Sequence, residues 1–172
     1  SELNAPYASS FNGSDLLRRD FGYFENNADL AELDPMTAVD ADPRERVVCG
    51  SSMGSLHAIA SAARSSKVVG LVVFSGFARF LSDTNYEAQE LAALEAMQSQ
   101  LASNPMGMLR SFYRALCHPA KIRFKVPAGP DQERLAAGLK VLKACDARGM
   151  LADIAVPTLI LHGGKDRIIT CR

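Results

Sequence analysis

The chain has 172 residues, 48% hydrophobic and 22% charged, enough for one domain with a real core. Its formal net charge is zero, which argues against a general nucleic-acid binder. No apolar run approaches the ~18 residues needed to cross a bilayer. The first residues, polar and broken by Pro6 and Gly13, do not read as a signal peptide. Cys49, Cys117, Cys145 and Cys171 are scattered, without a CxxC pair or a Cys/His cluster. Reduced thiols in a cytoplasm are the simplest reading, and no metal site is expected.

In chain order, residues 1–20 carry turn formers and little periodicity and read as irregular. Tyr23, Phe24, Ala28, Leu30 and Leu33 suggest a short helix ending before Pro35, and 35–45 is a loop broken at Asp42 and Pro43. Arg46 to Cys49 reads as a short buried strand, and the small-residue stretch from Met53 to Arg64 as a helix. KVVGLVVF, 67–74, is a β-branched run suited to a parallel strand covered on both faces, and VPTLILHG, 156–163, has the same character. Strand, helix and strand within 46–74 make a βαβ unit, so the class is α/β with a parallel sheet. Between the last two strands, helical patterns fit 86–102, 106–117 and 131–147, punctuated by Asn104-Pro105 and by PAGP at 127–130. They read as a helical insertion.

GSSMG at 50–54 matches G-x-S-x-G with Ser52 at the serine position. A strand turning sharply into a helix strains the residue at the bend, and small residues on either side let the backbones pass. Ser52 then projects its hydroxyl above the sheet as a nucleophile, and the Met53 N–H becomes one oxyanion donor. A plain glycine turn is the bland alternative; the apolar strand before the motif and the alanine-rich helix after it argue against that. Ser51 fits worse as the nucleophile, because Gly54 follows it by three residues rather than two.

VPTLILHGGKDRI adds a strand ending in glycines with Asp166 in the loop beyond. Together with the elbow it resembles the α/β-hydrolase superfamily, whose triad runs serine, acid, histidine. The resemblance implies that Asp166 orients the histidine. The stretch from Glu133 to Asp166, with Gly138, Leu139, Leu142, Asp146, Arg148, Leu151, Ile154, Pro157, Leu159, His162 and Gly163, resembles the lid-to-core junction of pimeloyl-acyl-carrier-protein methyl ester esterases of biotin synthesis. LRSFYRAL at 109–116 resembles their lid helix. This implies an α/β-hydrolase-type parallel sheet with a helical lid insertion. The divisions are 1–77 for the N-terminal core and elbow, 78–150 for the lid, and 151–172 for the last strand and acid loop.

The sequence departs from that family in its base. Six residues follow Asp166, whereas the family histidine lies well beyond the acid. His57 sits on the elbow helix and reads as packing, His118 precedes Pro119 in the insertion, and His162 reads as support for the acid loop. Residues 1–45 hold no HG or GG to supply a second oxyanion donor, and Ser55 stands where relatives usually carry glycine. The chain also starts with Ser rather than Met. It is read as a hydrolase incomplete at both ends, with a histidine-less pseudo-hydrolase as the alternative.

The expected activity is hydrolysis of a carboxylic ester by a serine mechanism, with no metal or cofactor. The resemblance implies a pimeloyl methyl ester on acyl-carrier protein; a general short-chain ester or a catalytically silent binding domain are the alternatives. Phe112, with Leu109 and Leu116 at helical spacing, forms an apolar stripe that suits either an acyl pocket or plain packing. From Pro105 to Gly129 the chain carries Arg110, Arg114, Lys121, Arg123 and Lys125 and no Asp or Glu. Such a cationic surface would attract an acidic carrier protein; a solvated face balanced by Glu87, Glu90 and Glu95 is the plainer reading.

Overall fold

The computed structural model describes residues 21–24, 33–37, 42–120 and 125–170. A three-stranded parallel sheet of order β1-β2-β3 is built from Arg46–Ser51 (β1), Val68–Phe74 (β2) and Thr158–Leu161 (β3). Helix α1, Gly54–Arg64, links β1 to β2. Its buried face is made of Ser55, Leu56, Ala58, Ile59, Ala60 and Ala62. Mostly small side chains there let the helix approach the strands closely, and Leu56 and Ile59 fill what remains.

The register aligns Ser51 with Phe74 and Phe74 with Leu161, so all three strands end at one edge of the sheet. β1 runs two residues past the expected end at Cys49, because Gly50 and Ser51 stay paired with Val73 and Phe74. On the face away from α1, Val47, Phe74, Leu159 and Leu161 remain 43% or more exposed. Among the described residues, the apolar β2 is therefore covered on one face, not on both as its β-branched run predicts.

The insertion packs three helices, α2 (Leu91–Ser103), α3 (Pro105–Leu116) and α4 (Gln132–Ala144), followed by a 3₁₀ turn, Arg148–Asp153. Asn104 caps α3 by accepting the Gly107 N–H at 2.9 Å, with Pro105 at the first helical position. Asp131 caps α4 through the Arg134 N–H at 2.9 Å. Leu94, Leu101, Met108, Leu109 and Leu139 join Leu56, Ile59, Leu71 and Val73 in one core, so insertion and sheet share their apolar interior.

α2 starts at Leu91, not at 86 as its periodicity suggests. The preceding residues are occupied otherwise: Asp83 pairs with Tyr86 and takes the Asn85 N–H at 2.9 Å, and Leu81 bridges Gln89. α4 stops at Ala144 rather than 147, because Cys145 turns extended and Asp146 bridges back to Arg79. The helix expected from Tyr23 to Leu33 is not supported at its start. Phe24 pairs with Pro130 and the Tyr23 carbonyl accepts the Asp131 N–H at 2.9 Å, which holds this stretch extended. Residues 25–32, and the irregular segment expected at 1–20, lie outside the described residues.

The two ends of the insertion are fastened by charge. Asp146 binds Arg79 and Arg148 at 2.7 Å each, and Arg148 also reaches Asp83 at 2.7 Å. The Arg148 guanidinium lies 5.2 Å from the centre of the Tyr86 ring. Among the described residues no helix is long and apolar enough to cross a membrane.

Candidate active site

Ser52 occupies the bend between β1 and α1 with φ of +50°, in the left-handed region that side chains rarely adopt. Such a conformation costs of order 1–3 kcal/mol and persists only where its surroundings enforce it. Three features enforce it. The Ser52 N–H is held by the Phe74 carbonyl at 3.0 Å, the last rung of the parallel pair. The Ser52 carbonyl receives the Ser55 N–H at 2.9 Å, which starts the helix. A Cβ on Gly50 would lie 2.6 Å from both the Gly54 carbonyl oxygen and the Ser55 Cα, so only glycine lets the strand pass that close. Gly54 is different: among the described residues a Cβ there would meet only the Phe21 ring, at 4.0 Å. Of the two bracketing glycines, the first is the steric requirement.

Ser52 is half-buried, and Ser51 is exposed within the regular strand. Met53 is 8% exposed, with the Tyr23 hydroxyl donating to its sulfur at 3.6 Å. No hydrogen bond among the described residues uses the Met53 N–H. That N–H opens a helix whose first turn carries no acidic side chain, so the helix end is left electropositive toward a developing anion.

Ser55 is fully buried in the first turn of α1. Its Oγ lies 2.6 Å from the Ser52 carbonyl oxygen and 2.9 Å from that of Phe77, and accepts the Phe77 N–H at 3.0 Å. Room for it comes from Gly76, where a Cβ would lie 2.5 Å from the Ser55 Cβ. The serine that stands out in sequence as a departure is thus accommodated by a neighbouring glycine and hydrogen-bonded on all sides.

Asp166 follows β3 at the same edge of the sheet as Ser52. The two supporting strands are separated by β2 alone, about 10 Å at ~4.8 Å per strand spacing. Its Oδ1 accepts the N–H groups of Ile168 at 2.8 Å and Ile169 at 2.9 Å. Its Oδ2 lies 3.9 Å from His162 Nε2. The His162 Nε2–H is committed elsewhere, donating to the Ile169 carbonyl at 2.7 Å.

None of the three histidines hydrogen-bonds Ser52. His57 Nε2 donates to the Leu33 carbonyl at 3.1 Å, and its ring packs 5.5 Å from that of Phe21. His118 lies just past the end of α3, with its N–H on the Ala115 carbonyl at 3.2 Å. Among the described residues no group of three or more His, Cys, Asp and Glu side chains could hold a metal ion.

The apolar stripe on α3 divides. Leu109 is 3% exposed in the core, Phe112 packs against that core edge-on to Tyr113, and Leu116 is 51% exposed. Arg110, Arg114 and Lys125 are exposed, while Lys121 and Arg123 lie outside the described residues. The sequence did not point to Gln89, whose side-chain N–H donates to the Ile168 carbonyl at 2.6 Å in the acid loop. Nothing local marks it, because its partner is 79 residues away in the chain.

The chain is 30% identical over 146 residues to the pimeloyl-[acyl-carrier protein] methyl ester esterase of Stenotrophomonas maltophilia (strain R551-3), covering 78% of this chain and 56% of that protein. It is 29% identical over 131 residues to the protein of the same name from Legionella pneumophila (strain Corby), covering 76% and 55%. The chain thus spans about half the length of the curated relatives it matches. An esterase from Exiguobacterium antarcticum superposes with a TM-score of 0.67 at 21% identity, over 74% of this chain and 51% of that one. At that identity the likeness is one of fold. The family profile of alpha/beta hydrolases matches residues 8–172, and the chain belongs to the alpha/beta hydrolase family.

Proposed function

We propose that the chain carries the nucleophile and the acid of a serine carboxylic ester hydrolase, with a pimeloyl methyl ester on acyl-carrier protein as substrate. The observation that carries the reading is the left-handed Ser52 at a strand-to-helix bend, on the sheet edge that also bears Asp166. The names of the relatives from Stenotrophomonas and Legionella support the substrate.

In this reading the Ser52 Oγ attacks the ester carbonyl carbon. A histidine outside residues 1–172 takes the serine proton, and the Asp166 Oδ2 faces that imidazole and stabilises its cation. The tetrahedral oxyanion forms against the Met53 N–H. Its collapse breaks the bond to the alkoxy oxygen, which leaves as methanol with the proton from the histidine. Water, deprotonated by the same histidine, then attacks the acyl-enzyme and releases the free acid and Ser52. Phe112 and Leu116 contribute apolar surface for the acyl chain, with Leu109 behind them, and Arg110, Arg114, Lys121, Arg123 and Lys125 attract the carrier.

The test is covalent labelling of the full-length protein by a fluorophosphonate, mapped by mass spectrometry. Label on Ser52, and loss of ~10³-fold or more in kcat in Ser52→Ala with the fold intact, is the expected result. Label on Ser51, or an active Ser52→Ala, would overturn it. The second reading is a silent binding domain, favoured by the engagement of His57 and His162 with backbone carbonyls. It predicts no labelling and no turnover of either the carrier-bound ester or a small soluble one.

A further inference from the structure

The acid loop is held by a chain of hydrogen bonds that begins in the insertion. Gln89 Nε2 lies 2.6 Å from the Ile168 carbonyl oxygen. A carbonyl can only accept, so the amide must present its NH₂ here. The same peptide unit continues as the Ile169 N–H, which donates to Asp166 Oδ1 at 2.9 Å. The Ile168–Ile169 peptide is therefore gripped at both ends, by an amide donor on its oxygen and a carboxylate on its nitrogen. Donation to a peptide oxygen polarises that peptide and strengthens what its N–H gives.

Gln89 is itself well fixed. Its N–H donates to the Phe80 carbonyl at 3.1 Å and its carbonyl accepts the Ser82 N–H at 2.9 Å. The neighbouring Ala88 N–H is held by Ser82 Oγ at 2.9 Å. The Arg79, Asp83, Asp146 and Arg148 network anchors the start of the same segment. The donor thus belongs to a braced turn, not to a free side chain reaching over.

We propose that Gln89 is a positioning residue for the acid: through the Ile168–Ile169 peptide it pins Asp166 Oδ1 and so presents Oδ2 to the base. This rests on the reading of Asp166 as the triad acid. Losing the Gln89 donor weakens the Ile169 N–H bond and loosens the carboxylate. The imidazolium is then less stabilised, the base loses proton affinity, and the acid limb of kcat/KM moves to lower pH.

The experiment uses the full-length enzyme and compares Gln89→Met, which keeps length without the donor, with Gln89→Glu, whose ionised oxygen would face the Ile168 carbonyl. Loss of one such hydrogen bond predicts a fall in kcat of about 3- to 10-fold in Gln89→Met, with KM unchanged. The acid limb should move down, and Gln89→Glu should lose at least as much. In an Asp166→Asn background, Gln89→Met should have no further effect on the rate of Ser52 labelling. Parental kcat and parental acid limb in Gln89→Met would overturn the proposal, as would an equal loss in both backgrounds, which marks general packing. If Gln89→Met does not fold, Gln89→Glu decides by the same criteria. A nearly active Asp166→Asn enzyme would remove the acid reading itself, and the Gln89 role with it. A dead Asp166→Asn beside an unaltered Gln89→Met would remove only the latter.

Discussion

The Ser55 hydroxyl reaches the Ser52 carbonyl at 2.6 Å while accepting the Phe77 N–H at 3.0 Å, which joins the elbow to the start of the insertion. One proton serves either the Ser52 or the Phe77 carbonyl at a time, but the Phe77 N–H always has its acceptor. Ser55→Ala leaves that N–H buried without one, a cost of about 1–3 kcal/mol. Denaturant unfolding of the full-length protein should show this loss, together with weaker Ser52 labelling. Ser55→Ala with parental stability would mean that the hydrogen bonds at Ser55 are replaceable by water or relaxation.

The two glycines of the motif should behave unequally. A methyl on Gly50 meets backbone atoms at 2.6 Å that cannot move without opening the elbow, so Gly50→Ala should unfold the bend or abolish labelling. Among the described residues Gly54→Ala meets nothing closer than the Phe21 ring at 4.0 Å, and alanine is also the better helix former. It should fold and keep its labelling. Equal damage from both substitutions would contradict this geometry.

These two cases show where the sequence was informative. The motif named the bend and its serine, and the β-branched runs named two of the strands, because both signals are local. Which glycine the packing needs was not legible, since it depends on how closely α1 crosses β1. The start of α2 is hidden for a related reason. The apolar spacing continues upstream of Leu91, but Asp83, Tyr86 and Gln89 are spent on bridges that periodicity does not register. Gln89 and the ionic network could not be found locally, because Arg79 meets Asp146 across 67 residues.

That network makes stability depend on acid. The Arg148 guanidinium, and then Arg79, hold the Asp146 carboxyl well below the usual carboxylate range. Asp83 is lowered as well, first by the Asn85 N–H and then by Arg148. A carboxyl depressed in the folded state contributes stability that is present above its unfolded value, near pH 4, and is lost as pH falls below it. The full-length protein should therefore lose urea resistance steeply between about pH 4 and pH 2. Asp146→Asn should be less stable at pH 7 and show a flatter slope in that window. Parallel pH curves for the two proteins would refute a role for this pair. The side chains are about one-third exposed, so salt should shrink the difference at pH 7.

Arg110 and Arg114 are exposed, lie four residues apart on α3, and so share one face of that helix. No ion pair among the described residues engages either one, and they stand in a window without carboxylates. Lys125 adds a third exposed cation further along the chain. An acidic carrier protein drawn to this surface would gain mainly in encounter rate, because exposed charges steer more than they bind. Reversing Arg110 and Arg114 to Glu should then cut kcat/KM for the carrier-bound ester and leave a small soluble ester nearly unaffected. Salt should slow the carrier-bound reaction of the parent, since exposed charges are screened over ~10 Å at 0.1 M. In the doubly reversed variant added salt should have the opposite effect, shielding a repulsion instead of an attraction. If both substrates respond alike to charge reversal and to salt, the cations are a solvated face and the general ester hydrolase gains at the expense of the carrier-bound substrate.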